Sequence, residues 1–126
     1  MTAVIFETPL TLSQPLRGKT ALVTGAATGI GEAISEALAI AGAAVVINHL
    51  AQHDQAAQLI RQLGETTTAI GLSADLTNPS EVTTMARDAQ ATVGPVDILV
   101  NNAGAYPRVP WQQMTDTDWA VALETT

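Results

Sequence analysis

Apolar residues along this chain alternate between two spacings. Ala21-Leu22-Val23 is a short unbroken run ending near Gly25, as expected of a strand covered on both faces. From Ile30 to Ala41 the apolar positions become Ile30, Ile34, Ala37, Leu38 and Ala41. That is helical spacing, with Glu32 and Glu36 outside and Gly42 as the stop. Ala44-Val45-Val46-Ile47 predicts a second buried strand. A second helix follows from about Gln52 to Leu63, with Ala56, Leu59, Ile60 and Leu63 inward and Gly64 at its end. Thr67 to Leu72 reads as a weaker third strand.

Asn78-Pro79-Ser80-Glu81 is a helix start, with Asn as cap, Pro in the first turn and Glu reaching back. Val82, Met85, Ala86, Ala89 and Val93 form the apolar stripe of that helix, and Gly94-Pro95 ends it. Val96 to Val100 is a fourth strand. Thr115-Asp116-Thr117-Asp118 predicts the cap of a fourth helix running from Trp119. Strands alternating with helices imply an α/β fold with a doubly wound parallel sheet and right-handed crossovers. Residues 1–18 read as an N-terminal extension and 19–126 as a partial domain, cut after the fourth strand and the start of the next helix.

Composition narrows the function. Hydrophobic residues make up 47% and aromatics 3%, so the core is built from Ala, Val, Ile and Leu. A formal net charge of −7 repels phosphate backbones over long range and argues against nucleic acid as a partner. It leaves open a small anion held locally by backbone amides. With no cysteine, disulfides, thiolate nucleophiles and Cys-based metal sites are excluded. Met1 to Leu12 lacks the basic start of a secretory signal, and the run Ala37 to Ile47 is too short to span a bilayer. The expectation is a soluble, cytoplasmic protein with no membrane partner.

Thr24-Gly25-Ala26-Ala27-Thr28-Gly29-Ile30-Gly31 lies between a strand and a helix. Gly25 permits a sharp turn, Gly29 clears room for a diphosphate, and Gly31 lets the helix lie close to the sheet. The helix start then aims free N–H groups and partial positive charge at the anion. The same residues read equally as a small-residue turn that only permits tight packing. Their spacing differs from G-x-G-x-x-G, and no P-loop Lys-Ser/Thr follows.

This run resembles the T-G-x-x-x-G-I-G motif of the classical short-chain dehydrogenases/reductases. Asn101-Asn102-Ala103-Gly104 is similar to that family's N-N-A-G motif after the fourth strand, and Asp75-Leu76 to its adenine-contacting Asp. The resemblance covers about Leu16 to Thr126 and implies a Rossmann-like fold that binds NAD(P)(H). The residues it points to are Gly25, Thr28, Gly29, Ile30, Gly31, His49, Asp75, Leu76, Asn101, Ala103 and Gly104. Asn102 is expected to be structural. Asp75 is also readable as a cap for the loop ahead of Asn78, and the resemblance favours the adenine role.

His49 stands where NAD-preferring relatives carry an acid, so the cofactor is expected to be NADP or NAD, with NADP preferred. His49 and His53 are four apart but lack a third ligand, and read as surface histidines rather than a metal site.

The resemblance also implies catalysis by a Tyr-x-x-x-Lys pair, a Ser and an Asn. The single tyrosine, Tyr106, has Pro110 four residues on, and the one lysine is Lys19. The seventh residue after Trp119, where that Asn is expected, is Thr126. No catalytic residue is therefore assigned, and the chain is expected to be incompetent alone. Three readings follow: the cofactor-binding part of an oxidoreductase, a dinucleotide-binding module without chemistry, or a complementation fragment associating through an exposed sheet edge.

Overall fold

A computed structural model describes residues 13–126. The expectations placed on Met1 to Leu12 lie outside the described residues. Four strands form one parallel sheet in the order β3-β2-β1-β4. They are β1 (Thr20–Val23), β2 (Ala44–His49), β3 (Ala69–Ser73) and β4 (Ile98–Val100). The helices are α1 (Gly29–Ile40), α2 (His53–Leu63), α3 (Pro79–Val93) and α4 (Asp116–Thr125), with a 3-10 turn at Trp111–Gln113.

β1 and β2 are buried on both faces because helices cover both sides of them. Val23, Val45 and Ile47 pack with Ala39 of α1 and with Ala56, Leu59 and Leu63 of α2. Leu22 and Val46 point the other way, against Met85 and Ala89 of α3. The sheet is thus doubly wound. Strand order reverses between β1 and β4, and ligands of such sheets bind at the carboxyl ends beside that reversal.

Several helical faces differ from the spacing prediction. The buried line of α1 is Gly31, Ser35 and Ala39, with Ile34 and Leu38 half-buried beside it. Ile30 is 75% exposed and Ala37 is exposed, while Glu32 and Glu36 are half-buried. Close approach to the sheet selects the smallest side chains, so the apolar stripe is rotated from the one the larger residues suggest. Ser35 is accommodated because its hydroxyl donates to Gly31 O at 2.8 Å. In α3, Ala86 is exposed while Met85 and Ala89 are buried.

Element ends also move. β3 begins at Ala69 rather than Thr67, and β4 spans only Ile98–Val100. Asp97 leaves the strand to accept from Thr20 N through Oδ2 at 2.9 Å. α4 begins at Asp116, ahead of Trp119, because Thr115 and Asp118 close a capping box around its first turn. The cap of α3 forms through Asn78 Oδ1, which accepts from Ser80 N and Glu81 N. Glu81 reaches past the Asn78 backbone to accept from Asp75 N at 2.7 Å and Asn78 Nδ2 at 3.1 Å.

Residues 13–18 are tied to the domain. Leu16 N donates to Ala41 O, and Lys19 N to Leu16 O, both at 2.9 Å. At the other side, β4 pairs with β1 alone among the described residues, and Leu99 is 58% exposed. α4 buries none of its residues. Among the described residues, no helix is long and apolar enough to cross a membrane.

Candidate functional site

The carboxyl ends of β1, β2, β3 and β4 open onto a cleft of about 370 Å³. Its wall is made of Gly25, Ala27 and Thr28 after β1, Asn48, Leu50 and Gln52 around the end of β2, Ala74 to Thr77 after β3, Asn102 to Ala105 after β4, and Thr125 of α4.

The turn after β1 is held from both sides. Thr24 Oγ1 donates to Val100 O at 3.3 Å and accepts from Asn102 N and Ala103 N at 2.9 and 3.0 Å. Asn102 Nδ2 donates to Thr24 O at 3.0 Å and Gly25 O at 3.2 Å. On the other flank, Gly25 N donates to Asn48 Oδ1 at 3.1 Å and Ala26 N to Asn48 O at 2.8 Å. Gly25 has φ +58°, and a Cβ there would stand 2.9 Å from Ala103 Cα. A side chain is therefore excluded both by conformation and by space.

From this turn α1 starts without a side-chain cap. Thr28 makes no capping hydrogen bond, so the N–H groups of Gly29, Ile30 and Gly31 have no partner within the helix. Gly29 has φ +64° and open space where a Cβ would lie. The first turn of α1 is an uncapped set of donors with the positive end of a helix dipole behind it.

Across the cleft, Asp75 Oδ1 accepts from Thr77 N at 2.9 Å and Thr77 Oγ1 at 2.7 Å. These two bonds hold its carboxyl below the usual carboxylate range, the side-chain bond contributing most. Asp75 thus secures its loop while lining the cleft, and its second carboxylate oxygen is left for a ligand.

Most of the sequence-predicted residues fall into two groups. Gly25, Thr28, Asp75, Leu76, Ala103 and Gly104 share the cleft wall. Gly29, Ile30 and Gly31 stand next to it at the start of α1, Gly29 and Ile30 exposed. Gly31 is buried, and a Cβ on it would meet Asn102 Nδ2 at 2.6 Å and Ala26 Cα at 2.7 Å. Asn101 is exposed and off the cleft wall.

His49 departs furthest from expectation. It is the last residue of β2 and only 8% exposed, not a surface histidine. Strand alternation turns it to the α2 side, where its ring meets that of His53 edge-on at 5.0 Å. Its Nδ1 is buried without a partner among the described residues. Burial first, then the neighbouring His53, lowers its pKa from the ordinary 6.5, so it is neutral at pH 7 and offers the cleft no cation. No group of three or more metal-ligating side chains occurs among the described residues.

The polar wall residues Asn48, Gln52, Thr77 and Thr125 were among those not singled out by sequence. Thr125 accepts from Ala105 N at 2.9 Å and donates to Val121 O at 2.7 Å. Thr126 is exposed and donates back to Ala122 O at 2.7 Å. A signal for Asn48 was present as a polar residue closing an apolar strand. Thr125 gives no such signal.

This arrangement matches a known family. A family model described as short chain dehydrogenase matches residues 19–126. The chain belongs to the short-chain dehydrogenase family. It is 38% identical over 119 residues to the D-beta-hydroxybutyrate dehydrogenase of Cupriavidus necator, covering 88% of this chain and 46% of that protein. Among solved structures, a dehydrogenase/reductase from Sinorhizobium meliloti 1021 aligns with a TM-score of 0.85 at 31% identity, over 95% of this chain and 48% of that one. A blue fluorescent protein from a metagenomic library, in complex with NADPH, aligns with a TM-score of 0.79 at 34% identity, over 86% of this chain and 45% of that one. This short-chain dehydrogenase chain spans about half the length of the relatives it matches. It carries the oxidoreductase family's NAD(P)-binding region on a Rossmann-like fold.

Proposed function

We propose that this chain binds one nicotinamide dinucleotide, NADP(H) or NAD(H), across the carboxyl ends of its strands. It is the cofactor-holding part of an enzyme that interconverts carbonyl and alcohol. The observation that carries this is the uncapped start of α1 opening beside a cleft at the strand-order reversal. The diphosphate takes the free N–H groups of Gly29, Ile30 and Gly31. Adenine lies against Asp75 and Leu76, and the nicotinamide side runs along Ala103 and Gly104. When bound, the nicotinamide supplies or accepts a hydride.

Neither an acid nor a charged base stands at the end of β2 to sort the two cofactors. Among the described residues, the one ionisable side chain on the cleft wall is Asp75. With no carboxylate facing the adenosine 2′ position, NADP(H) is admitted, and we expect the two affinities to differ by less than about tenfold. Residues 1–126 alone supply no tyrosine tuned by a lysine, so we expect binding without turnover.

Titration with NADPH and NADH, read by quenching of tryptophan fluorescence, tests the reading. Saturable one-to-one binding is expected. No saturation by either cofactor up to about 1 mM sinks it. A second reading, a piece that pairs with another polypeptide, is favoured by the exposed Leu99 and by the absence of any buried residue in α4.

A further inference from the structure

Asn48 is 2% exposed, the largest polar side chain held that deeply among the described residues, in a strand whose preceding residues are Val45, Val46 and Ile47. A buried carboxamide is retained only when its donors and acceptor are matched, and here they are. Oδ1 accepts from Gly25 N at 3.1 Å. Nδ2 donates to Ala74 O at 3.2 Å and Leu72 O at 3.4 Å. The backbone carbonyl of the same residue accepts from Ala26 N at 2.8 Å. The orientation of the amide follows from these partners, since its nitrogen faces two carbonyls and its oxygen an N–H.

Two consequences follow. The N–H groups of Gly25 and Ala26 are both consumed by Asn48, so neither is free for an anion, and the available donors shift to the first turn of α1. The same carboxamide also grips the strand end that leads directly into Asp75 and Leu76. On the dinucleotide reading proposed above, these are the diphosphate side and the adenine side of one ligand.

We infer that Asn48 is a positioning residue that locks the diphosphate turn to the adenine wall, so that both sides of the cleft keep one spacing. Only a carboxamide of this length satisfies the link. Asp keeps the acceptor for Gly25 N but faces two carbonyls without a donor. Leu has the shape but neither polar function.

The test measures NADPH and NADH affinity of the unmodified chain, Asn48→Leu, Asn48→Asp and Leu63→Ala, each at a temperature where circular dichroism shows it folded. Leu63→Ala removes a buried side chain at the last turn of α2, at the end of the sheet opposite the cleft. Asn48→Leu is expected to weaken both cofactors by roughly tenfold or more, whereas Leu63→Ala lowers the melting temperature without altering affinity. Asn48→Asp is expected to preserve the Gly25 amide proton shift seen by NMR and still lose affinity, because the adenine side is released. Should Asn48→Leu fail to fold, Asn48→Asp and the Gly25 shift decide the matter. Equal loss in the Leu63 variant, or unchanged affinity in the folded Asn48 variants, overturns the positioning role alone. No binding by the unmodified chain overturns the dinucleotide reading and this inference with it.

Discussion

Asn48 and Asn102 hold the same residue from opposite sides: Asn48 Oδ1 takes the N–H of Gly25, and Asn102 Nδ2 donates to its carbonyl. One lies in β2 and the other just past β4, so the turn after β1 is spanned by its two neighbouring strands. The glycine motif is therefore shaped by side chains far from it in sequence, not by glycine freedom alone.

Asn102→Ala leaves the carbonyls of Thr24 and Gly25 without their side-chain donor. The expected loss of stability is about 1–3 kcal/mol, read from urea unfolding at constant slope. The bonds from Asn102 N and Ala103 N to Thr24 Oγ1 survive, so the loop keeps its path. A neutral outcome would show that water replaces the carboxamide.

Gly31→Ala and Gly29→Ala separate space from conformation. At Gly31 a methyl meets backbone at 2.7 Å, and backbone has little room to yield. We expect a loss of roughly 1–3 kcal/mol in thermal or urea unfolding. At Gly29 nothing lies near the methyl, and only the positive φ is unfavourable, for about 1–2 kcal/mol. The Gly29 variant should nonetheless lose dinucleotide affinity, because its backbone relaxes away from the conformation that presents the α1 amides. Retained affinity in that variant would argue against those amides as the diphosphate site.

Acid should weaken the protein through His49. Its folded pKa is lowered by burial and by His53, so the unfolded chain binds the proton more readily. Above the ordinary value of 6.5 both states are neutral, and this group does not alter stability. As pH falls below that value, the unfolded state gains protons first and stability declines. Melting temperatures between about pH 7.5 and 5.5 should fall less steeply for His49→Phe than for the unmodified chain. Parallel slopes would mean that the decline comes from other groups.

The edge of β4 should make the isolated chain associate. Leu99 is exposed on a strand with one free side, which is a template for pairing with another strand. Sedimentation velocity is expected to show a concentration-dependent shift that Leu99→Lys reduces. A monomer at all concentrations would remove the edge as an association surface.

The order of elements was readable from the chain because two apolar spacings, one for covered strands and one for helices, follow each other without overlap. The Asn78 cap and the Gly64 stop were equally local, since a helix end is decided by the groups within one turn of it. The rotation of the α1 face was not readable. Which side of a helix is buried there depends on how near the sheet comes, and that nearness selected Gly31, Ser35 and Ala39 over Ile30 and Ala37.

The site divides in the same way. Its glycines, Asp75 and the Asn101–Gly104 run stood out as motifs because each is a short contiguous pattern. Sequence by itself thus determined the alternation of strands and helices, the glycine turn and the family. Tertiary structure alone decided that His49 faces α2 and stays neutral, that Asn101 lies off the cleft, and that Asn48 and Asn102 meet at Gly25. Those outcomes depend on which strands become neighbours, and β1 pairs with both β2 and β4 across long stretches of chain that no local pattern encodes.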